Sequence, residues 1–408
     1  MSELVTSPCK VLFVSHSAAR TGAPLVLLHL MRWLKANTDW EIETVVVHDQ
    51  DGELAEEFAA LGPIHFVSSA EPKPSRLMHK LLHYFRNGRG VDRSGGLSSR
   101  LQNGTFDLVY SNTITNGFYL ERLLGKSAIP VLTHVHELNY WIDQCGKKNM
   151  ASVLRQTSHF IAASHAVRDN LIQRHQVSDG KVDVVHAFVA PLEPPTLESV
   201  RNVRRELGLL DSDFCIGGSG SDFWRKGHDL VPQLLGAVQR ILPLRRVVFL
   251  WVGREGNANE AYQLKFELDV MKLSCQYICT GHVSNPLHYF AAMDVFAMLS
   301  RDDPFPLVCL EAGLSMMPIV CFKNSGGVPE LLQDESGLVV DYLNVDQFAS
   351  VIRSLAEDQE RSKQLGESLR QRILDNFLPE HTCPALFAAM KRCILQGECR
   401  SENSIGKA

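Results

Sequence analysis

The stretch "KVLFVSHSAARTGAPLVLLHLMRWLKAN", residues 10–37, contains the pattern that decides the fold. It begins with the apolar run 10–17, which is typical of a buried strand. Residues 23–37 then place apolar side chains at helical spacing, which predicts an amphipathic helix. A buried strand that leads directly into a helix is the repeating unit of a parallel sheet covered on both faces.

The same alternation continues on both sides of a proline-rich interruption. Before it, apolar strands are predicted at "EIETVVVH", "PIHFV", "FDLVYSN", "PVLTHVHE", "HFIAASH" and "VDVVH". After it, they are predicted at "FCIGGSG", "VVFLWVG", "QYICTG", "DVFAMLS", "PIVCF" and "SGLVVDY". We therefore expect two Rossmann-like, doubly wound α/β domains at 1–188 and 201–408, joined by a linker at 189–200, with the last helix able to pack back on the first domain. Ligands of such sheets bind beyond the carboxyl ends of the strands, so we expect the domains to face each other across a ligand-binding cleft.

Composition excludes several classes of protein. A chain of 408 residues with 45% hydrophobic residues can form two cores, and its net charge of −5 gives no case for a nucleic acid partner. No apolar run approaches the roughly 18–20 residues of a membrane span, and "MSELVTSPCK" lacks the regions of a signal peptide. The ten cysteines form no paired framework, which is typical of reduced thiols. These features predict a soluble, cytoplasmic protein.

Three glycine-containing turns before predicted helices are suited to phosphate, because backbone N–H groups and the helix dipole favour anions there. The first contains Gly22. The second, "GGSGSDFWRKGHDL" (217–230), is not the dinucleotide fingerprint, since Phe223 occupies the third glycine position, but it places Arg225 and Lys226 at a helix start. Two such cations could clamp a diphosphate, although an exposed, charged helix start is the alternative. The third, "KNSGGVPELL" (323–332), is equally consistent with ligand binding and with simple helix capping.

Acids and imidazoles mark two further strand ends. "THVHELNYW" places His134, His136 and Glu137 at the carboxyl end of a strand, where imidazoles can touch a ligand. "SRDDPFPLVCLEAG" (300–313) places Asp303 before a Pro-Phe-Pro turn and Glu311 in the following apolar run. The residues between the two acids are too apolar for a solvated loop, so a carboxylate on each side of the turn needs a functional reason.

Two other segments carry weaker signals. Residues 73–100 hold seven Lys or Arg and one acid, with apolar positions that fit one face of a short helix, followed by a Gly- and Ser-rich loop. This segment is either a solvated insertion or a basic surface for an anionic lipid or an acidic acceptor. The D-x-D at 49–51 resembles a metal-binding motif of some sugar transferases, but a turn with a helix cap is favoured there, and no metal site is expected.

Taken in order along the chain, these motifs resemble those of the family-four retaining glycosyltransferases (glycosyl transferases group 1), which have the GT-B fold. The resemblance covers nearly the whole chain. It is carried by "TGAP", "HEL" at 136–138, "SHAVRDNL", "WRKG", "DDPFPLVCLEA" and "SGGVPEL". The paired-acid motif is the most specific, because its spacing, its turn and the following "LEA" all agree.

The resemblance implies a role for each motif. Glu311 would bind the ribose hydroxyls of a nucleotide sugar, Asp303 would contact the donor sugar, and His136 would lie against that sugar. Arg225 and Lys226 would neutralise the leaving diphosphate, so no metal or other cofactor is expected. The remaining donor-binding positions would be Gly22, Phe305, Pro306, Leu307, Gly326 and Gly327.

The resemblance also implies the reaction, which is transfer of a sugar from a nucleotide-sugar donor to a hydroxyl acceptor with retention. The acceptor would be a saccharide or a lipid-linked saccharide in polysaccharide or glycolipid synthesis, and segment 73–100 would bring the protein to the inner face of a membrane. Three positions depart from the family pattern. Asp303 stands where glutamate is usual, and Thr21 stands where a second glycine is common. The usual arginine of the basic motif would fall near Ser221, and Arg225 is a candidate substitute for it. The alternatives are a catalytically silent sugar-nucleotide-binding protein on the same scaffold and a sugar-nucleotide epimerase.

Overall fold

The structure is a computed structural model that describes residues 8–48, 52–67, 96–221, 223–333 and 337–405. The chain divides into two compact units, one of Met1–Ala187 with Pro379–Ala408 and one of Phe188–Leu378. Each unit is built around a parallel sheet with helices, so the fold is the predicted pair of α/β domains.

The first unit contains a seven-stranded parallel sheet in the order β3-β2-β1-β4-β5-β6-β7. The strands are β1 (Lys10–Ser15), β2 (Glu41–Val46), β3 (Ile64–Phe66), β4 (Leu108–Ser111), β5 (Val131–Val135), β6 (His159–Ala162) and β7 (Val182–Val184). Val, Ile, Leu and Phe side chains of the central strands are buried, as expected for a sheet covered on both faces. Because β1, β4 and β5 are neighbours and parallel, their carboxyl ends lie side by side.

Helices connect these strands. They are α1 (Gly22–Asn37), α2 (Ala55–Ala59), α3 (Leu97–Gln102), α4 (Gly117–Leu124), α5 (Asn139–Cys145), α6 (Lys147–Gln156) and α7 (His165–Gln173). Short 3-10 turns lie at Ile114–Asn116 and Asp179–Lys181. Helix α1 buries seven side chains on one face, as its apolar spacing predicted.

The end of segment 73–100 differs from its predicted Gly- and Ser-rich loop. Helix α3 begins at Leu97, so the two serines that follow are helical. Leu97 and Leu101 are both buried, and this packing outweighs the weak helix propensity of serine. The remainder of the segment, through residue 95, and the D-x-D at 49–51 lie outside the described residues.

The second unit contains a six-stranded parallel sheet in the order β10-β9-β8-β11-β12-β13. The strands are β8 (Phe214–Gly220), β9 (Val247–Gly253), β10 (Tyr277–Cys279), β11 (Val295–Met298), β12 (Ile319–Phe322) and β13 (Val339–Val340). The carboxyl ends of β8, β11 and β12 are adjacent, and the loops that follow them contain the predicted basic, acidic and glycine motifs.

The helices of the second unit are α8 (Leu197–Glu206), α9 (Val231–Ile241), α10 (Ala258–Val270), α11 (Pro286–Phe290), α12 (Leu307–Leu314), α13 (Val328–Leu332), α14 (Val345–Glu357) and α15 (Gln359–Asn376). Its 3-10 turns are His228–Leu230 and Ser274–Gln276. Helix α8 begins inside the predicted linker 189–200, because the Thr196 hydroxyl caps it by accepting from the Ser199 N–H at 3.2 Å.

The last helix, α16 (Pro379–Ile405), belongs to the first unit although it follows the second in sequence. Its Phe387 ring packs 5.8 Å from Trp33 and 4.8 Å from Trp40, measured between ring centroids. Farther along the helix, Arg392 pairs with Asp183 of β7. The two ends of the chain therefore build one unit together. None of the helices in the described part of the chain is long and apolar enough to cross a membrane.

Candidate functional site

A buried ion cluster lies at the carboxyl ends of β8 and β11 in the second unit. Lys226 Nζ lies 2.5 Å and Arg225 Nη1 lies 3.5 Å from the same oxygen, Oδ2 of Asp303. The Ser300 hydroxyl donates to that oxygen at 3.1 Å. Burial alone would raise the pKa of the Asp303 carboxyl, but the adjacent charges of Lys226 and Arg225 outweigh burial and lower it. Asp303 is therefore an ionised carboxylate held by two cations.

Close backbone packing places the two cations. Gly227 has a φ of 71°, and a Cβ atom at this position would lie 2.0 Å from the Leu299 carbonyl oxygen. Only glycine allows the loop to pass this close to the end of β11. The Arg301 N–H also donates to the Arg225 carbonyl at 2.8 Å, which ties the basic loop to the acidic one. The sequence "WRKG" thus holds its charged side chains beside the acid motif.

The glycine loop after β12 supports the same acid through the backbone. The Asp303 N–H donates to the Ser325 carbonyl at 2.8 Å, and the Gly327 N–H donates to the Asp303 carbonyl at 3.1 Å. Gly326 lies between these contacts with a φ of 126°, which side chains rarely tolerate. The sequence left ligand binding and helix capping equally open for this loop, and in the structure the N–H of Gly327 is engaged by the acidic loop.

Helix α12 carries the second acid of the pair. Glu311 is half-buried, and its carboxylate has no hydrogen bond or ion pair with any residue that the structure describes. Burial raises its pKa to about 7. The two acids of the motif therefore have opposite character: Asp303 is compensated and ionised, whereas the carboxyl of Glu311 retains its acceptor capacity.

The turn between the acids has a restricted set of backbone donors. Phe305 is buried with its ring 5.5 Å from that of Phe377, and Pro306 is the residue before helix α12, which begins at Leu307. Pro306 has no N–H, so it can offer only its carbonyl, whereas Leu307 has an N–H in the first turn of the helix. No side chain caps this helix start.

In the first unit, His136 lies just beyond the end of β5. Its ring is half-buried, and its Nε2 lies 3.2 Å from Oδ1 of Asn112, which follows the neighbouring strand β4. Burial, followed by the charge of His16, lowers the pKa of His136 to about 3. His136 is therefore a neutral imidazole at physiological pH.

The other histidine and the acid of the "HVHE" stretch form hydrogen bonds within the first unit. His134 is fully buried, and its Nδ1 lies 2.7 Å from the Tyr110 hydroxyl. Glu137 is buried and accepts hydrogen bonds from the Thr113 hydroxyl and from the N–H groups of Ile114 and His136. Burial raises the pKa of Glu137 to about 7. Glu137 thus shapes the loop that presents His136.

Gly22 is the first residue of α1 in the same unit. Thr21 precedes it as N-cap without a side-chain hydrogen bond, and no acid lies in the first turn.

Sequence reasoning missed two residues of the arrangement, Asn112 and Ser300, each of which lies just beyond the carboxyl end of a parallel strand. That position in "FDLVYSN" and "DVFAMLS" was the available signal, and it is the same signal that identified His136.

Comparison with known proteins assigns the two halves of the chain to two family models. The model described as Glycosyltransferase Family 4 matches residues 20–191, and the model described as Glycosyl transferases group 1 matches residues 199–372. The paired acids, the basic loop and the glycine loop all lie within the second match.

Curated relatives and a solved structure agree with these models. The D-inositol 3-phosphate glycosyltransferase of Corynebacterium kroppenstedtii is 25% identical over 223 residues, which are 53% of this chain and 49% of the relative. The capsular polysaccharide biosynthesis glycosyltransferase CapM of Staphylococcus aureus is 21% identical over 221 residues, 53% of this chain and 57% of the relative. The chain thus spans about half the length of these curated relatives.

The structure of Anabaena HepE in complex with UDP and glucose superimposes with a TM-score of 0.77 at 18% identity, covering 94% of this chain and 100% of HepE. At this identity the similarity establishes the fold. Together with the two family models and the curated relatives, it shows that the chain belongs to the glycosyltransferases of the GT-B fold, with a family 4 domain followed by a group 1 domain.

Proposed function

We propose that the protein transfers a sugar from a nucleotide-sugar donor to a hydroxyl group of an acceptor, with retention at the anomeric carbon. The observation that carries the proposal is the convergence of Lys226 and Arg225 on Asp303, eight residues before Glu311, whose carboxyl has no partner among the residues that the structure describes. In this proposal the two cations bind the diphosphate, Asp303 binds the sugar and Glu311 binds the ribose of one donor.

The two cations supply the electrostatic part of the reaction. Departure of a nucleoside diphosphate develops negative charge on a phosphate oxygen, and fixed cations in a buried site stabilise that charge. Lys226 and Arg225 both lie against the Asp303 carboxylate, so the site holds two cations side by side. We propose that these two cations bind the diphosphate without a metal ion.

Asp303 and the adjacent turn then serve the transferred sugar. An ionised carboxylate accepts hydrogen bonds from sugar hydroxyls, and charge-assisted bonds of this kind are shorter and stronger than neutral ones. Asp303 stands one methylene short of the usual glutamate, and its position is set by the backbone contacts to Ser325 and Gly327. The N–H of Leu307 would complete the sugar contacts, together with the second lone pair of the Pro306 carbonyl, which already accepts from the Cys309 N–H at 3.1 Å.

Glu311 serves the nucleoside. Its two oxygens can accept one hydrogen bond from each of two neighbouring ribose hydroxyls. The pKa of the Glu311 carboxyl is about 7, so the carboxyl must lose its proton before both of its oxygens can accept hydrogen bonds. His136 of the first unit contributes to transfer as a neutral hydrogen-bonding group, in the role that the family resemblance gives it.

The acceptor belongs to the same proposal. Relatives include a capsular polysaccharide glycosyltransferase and a mannosyltransferase named for a phosphatidylinositol monomannoside. These names support a saccharide or lipid-linked saccharide acceptor. Segment 73–100, with its excess of Lys and Arg, would then hold the protein at an anionic membrane surface.

Product analysis with a panel of nucleotide sugars tests the reaction. Incubation of each donor with saccharide and lipid-linked acceptors should give a glycosylated product that keeps the anomeric configuration of the donor. An interconverted donor without transfer would identify an epimerase. Binding of a nucleotide sugar without any reaction would identify a silent binding protein.

Vesicle binding tests the membrane part independently. Vesicles with anionic lipid should bind the protein at low salt and release it at high salt, because exposed charges are screened beyond about 8 Å near physiological ionic strength. Replacing Arg86, Arg89 and Arg93 with Gln should weaken that binding. If low-salt vesicles do not bind the protein, segment 73–100 is a solvated insertion.

A further inference from the structure

Asn112 links the start of helix α1 to the ring of His136. It is fully buried just beyond β4, and its backbone N–H donates to the Val14 carbonyl at 2.9 Å. Its side-chain Nδ2 donates to the Ala23 carbonyl at 2.8 Å, and its Oδ1 lies 3.2 Å from His136 Nε2. One amide group thus bridges the turn that contains Gly22 and the imidazole.

The chemistry of these partners fixes the orientation of the amide. A carbonyl oxygen can only accept a hydrogen bond, so the group that faces the Ala23 carbonyl must be the NH2 of Asn112. The opposite orientation would bring two acceptor oxygens, those of Asn112 and Ala23, to a distance of 2.8 Å with no hydrogen between them, which is unfavourable. Oδ1 of Asn112 therefore faces His136.

The orientation of Asn112 in turn fixes the tautomer of His136. Oδ1 is an acceptor, so Nε2 must carry the proton that makes the 3.2 Å contact a hydrogen bond. In a neutral imidazole one ring nitrogen is protonated and the other is not. Since burial lowers the pKa of His136 to about 3, its Nδ1 is unprotonated and can only accept.

The titratable groups around His136 do not change this assignment. Glu137 accepts from the backbone N–H of His136 and is occupied by Thr113 and Ile114. The ring of His134 lies 4.0 Å from that of His136, and its Nδ1 is bonded to the Tyr110 hydroxyl. His16 acts on His136 by charge, which disfavours the protonated form.

We propose that Asn112 is a positioning residue that holds His136 as the Nε2–H tautomer, so that Nδ1 of His136 accepts a hydrogen bond from a hydroxyl group of the substrate. A phosphate oxygen is excluded as the partner of Nδ1, because both atoms are acceptors. This inference rests on the proposed function for the identity of the substrate as a sugar. The tautomer itself can be measured without any substrate.

The experiment is nitrogen NMR of the full chain labelled at histidine, which distinguishes protonated from unprotonated ring nitrogens, with His136 assigned from a His136→Ala sample. The wild-type spectrum should show Nε2 protonated and Nδ1 unprotonated. Asn112→Ala should give a mixture of tautomers. Asn112→Asp should keep the Nε2–H tautomer and raise the pH at which His136 titrates, because a carboxylate stabilises the imidazolium. This second variant keeps the test valid if Asn112→Ala does not fold.

Asn116→Ala is the matched control. Asn116 is also buried, and its Nδ2 donates to the Val14 carbonyl and to the Ser111 hydroxyl at 3.1 and 3.2 Å, without contact to His136. This variant should leave the His136 signals unchanged. If Asn116→Ala changes the tautomer of His136 as much as Asn112→Ala does, the effect comes from general loosening of the packing around His136, and the proposal is overturned.

Kinetics completes the test. Asn112→Ala should lower kcat about tenfold, the equivalent of about 1.4 kcal/mol, while the KM for the donor changes by less than about twofold. In the His136→Ala background it should cause no further loss. An Nδ1–H tautomer in the wild type would overturn the proposal whatever the activity. If the spectra are as expected but the protein transfers no sugar, the role of Asn112 in fixing the tautomer stands and the proposed function is refuted.

Discussion

The carboxyl edges of the two sheets both carry buried polar groups, yet they differ in charge. In the second unit, the pKa of the Asp303 carboxyl is lowered, because the charges of Lys226 and Arg225 outweigh its burial. In the first unit, the pKa of His16 is lowered to about 4 and that of His136 to about 3, first by burial and then by the neighbouring imidazole charges. Burial is common to both edges, so the difference arises from the partners. An ionic edge is suited to phosphate, and a neutral edge is suited to hydroxyl groups.

The largest effect is expected for Lys226→Met, which removes one charge from the ionic edge. Asp303 would remain buried with only Arg225 as a counter-charge, so stability should fall by about 3 kcal/mol and transfer by about a thousandfold. Urea unfolding and initial transfer rates measure both. Lys265→Met is the control, because Lys265 forms an exposed pair with Asp269 on α10 and its loss should change neither quantity. Equal losses in the two variants would show that the Lys226 pair has no special role.

Asp303→Asn should lower turnover about a hundredfold while it preserves nucleotide binding. The variant keeps the shape of the side chain but removes the carboxylate, so Lys226 loses its counter-ion and becomes more available to phosphate. Calorimetric titration of the nucleotide, alongside transfer rates, separates the two effects. A fall in nucleotide affinity as large as the fall in turnover would place Asp303 at the nucleotide and not at the sugar.

Glu311→Gln should weaken nucleotide affinity by about 1–3 kcal/mol, the range for hydrogen bonds to a charged group. In the wild type the affinity should rise by up to about tenfold between about pH 6 and about pH 8, because the raised pKa must be passed before both oxygens can accept. Titration calorimetry at both pH values measures this change. The nucleotide itself titrates in the same way with both proteins, so the Glu311→Gln variant reports that contribution alone. If its affinity depends on pH as strongly as that of the wild type, the ribose assignment is refuted.

The same raised pKa has the opposite effect on stability. The folded protein holds the Glu311 proton more tightly than the unfolded chain, so this contribution is fully present below the ordinary pKa of glutamic acid and is lost as pH rises through about 7. Glu311→Gln stays neutral. At alkaline pH it should therefore unfold at a higher urea concentration than the wild type, and the advantage should vanish in acid.

His136→Ala tests the neutral edge with a smaller expected effect. Transfer should fall about tenfold because one hydrogen bond to the sugar is lost, while binding of the nucleoside diphosphate should not change. Titration calorimetry and product formation provide the two measurements. Wild-type transfer rates in this variant would remove His136 from the mechanism.

A chelator should have no effect on transfer. Arg225 and Lys226 are proposed to supply the positive charge that a metal provides elsewhere. Transfer rates before and after EDTA treatment test this proposal. Loss of activity that magnesium or manganese restores would direct attention to the D-x-D at 49–51.

The sequence predicted the parallel α/β alternation because buried parallel strands have a strong compositional signal. It also placed Lys226 and Asp303 after predicted strands, where ligands of such sheets bind. The structure shows that these two strands are neighbours. It did not reveal that Lys226 contacts Asp303 directly, because that contact depends on the φ of Gly227 and on side-chain rotamers. Strand ends are predictable from pattern, whereas contacts between loops are not.

Two other features show where the pattern is ambiguous. His134 and His136 have the same spacing signal, but only the register of β5 against β4 places His134 beneath the Tyr110 hydroxyl. The sequence analysis expected that the last helix could pack back on the first domain, and α16 belongs to that unit. The apolar pattern of the helix does not name the residues that it contacts, because many faces would satisfy the same pattern. Its contacts with Trp33 and Trp40 required the structure.

Helix α16 also has a consequence for synthesis on the ribosome. Every residue of the second unit emerges before Pro379, so that unit can fold while the first still lacks its final helix. Until α16 has been synthesised, Trp33 and Trp40 have no Phe387 beside them. The first unit therefore completes its packing only after the whole second unit has emerged.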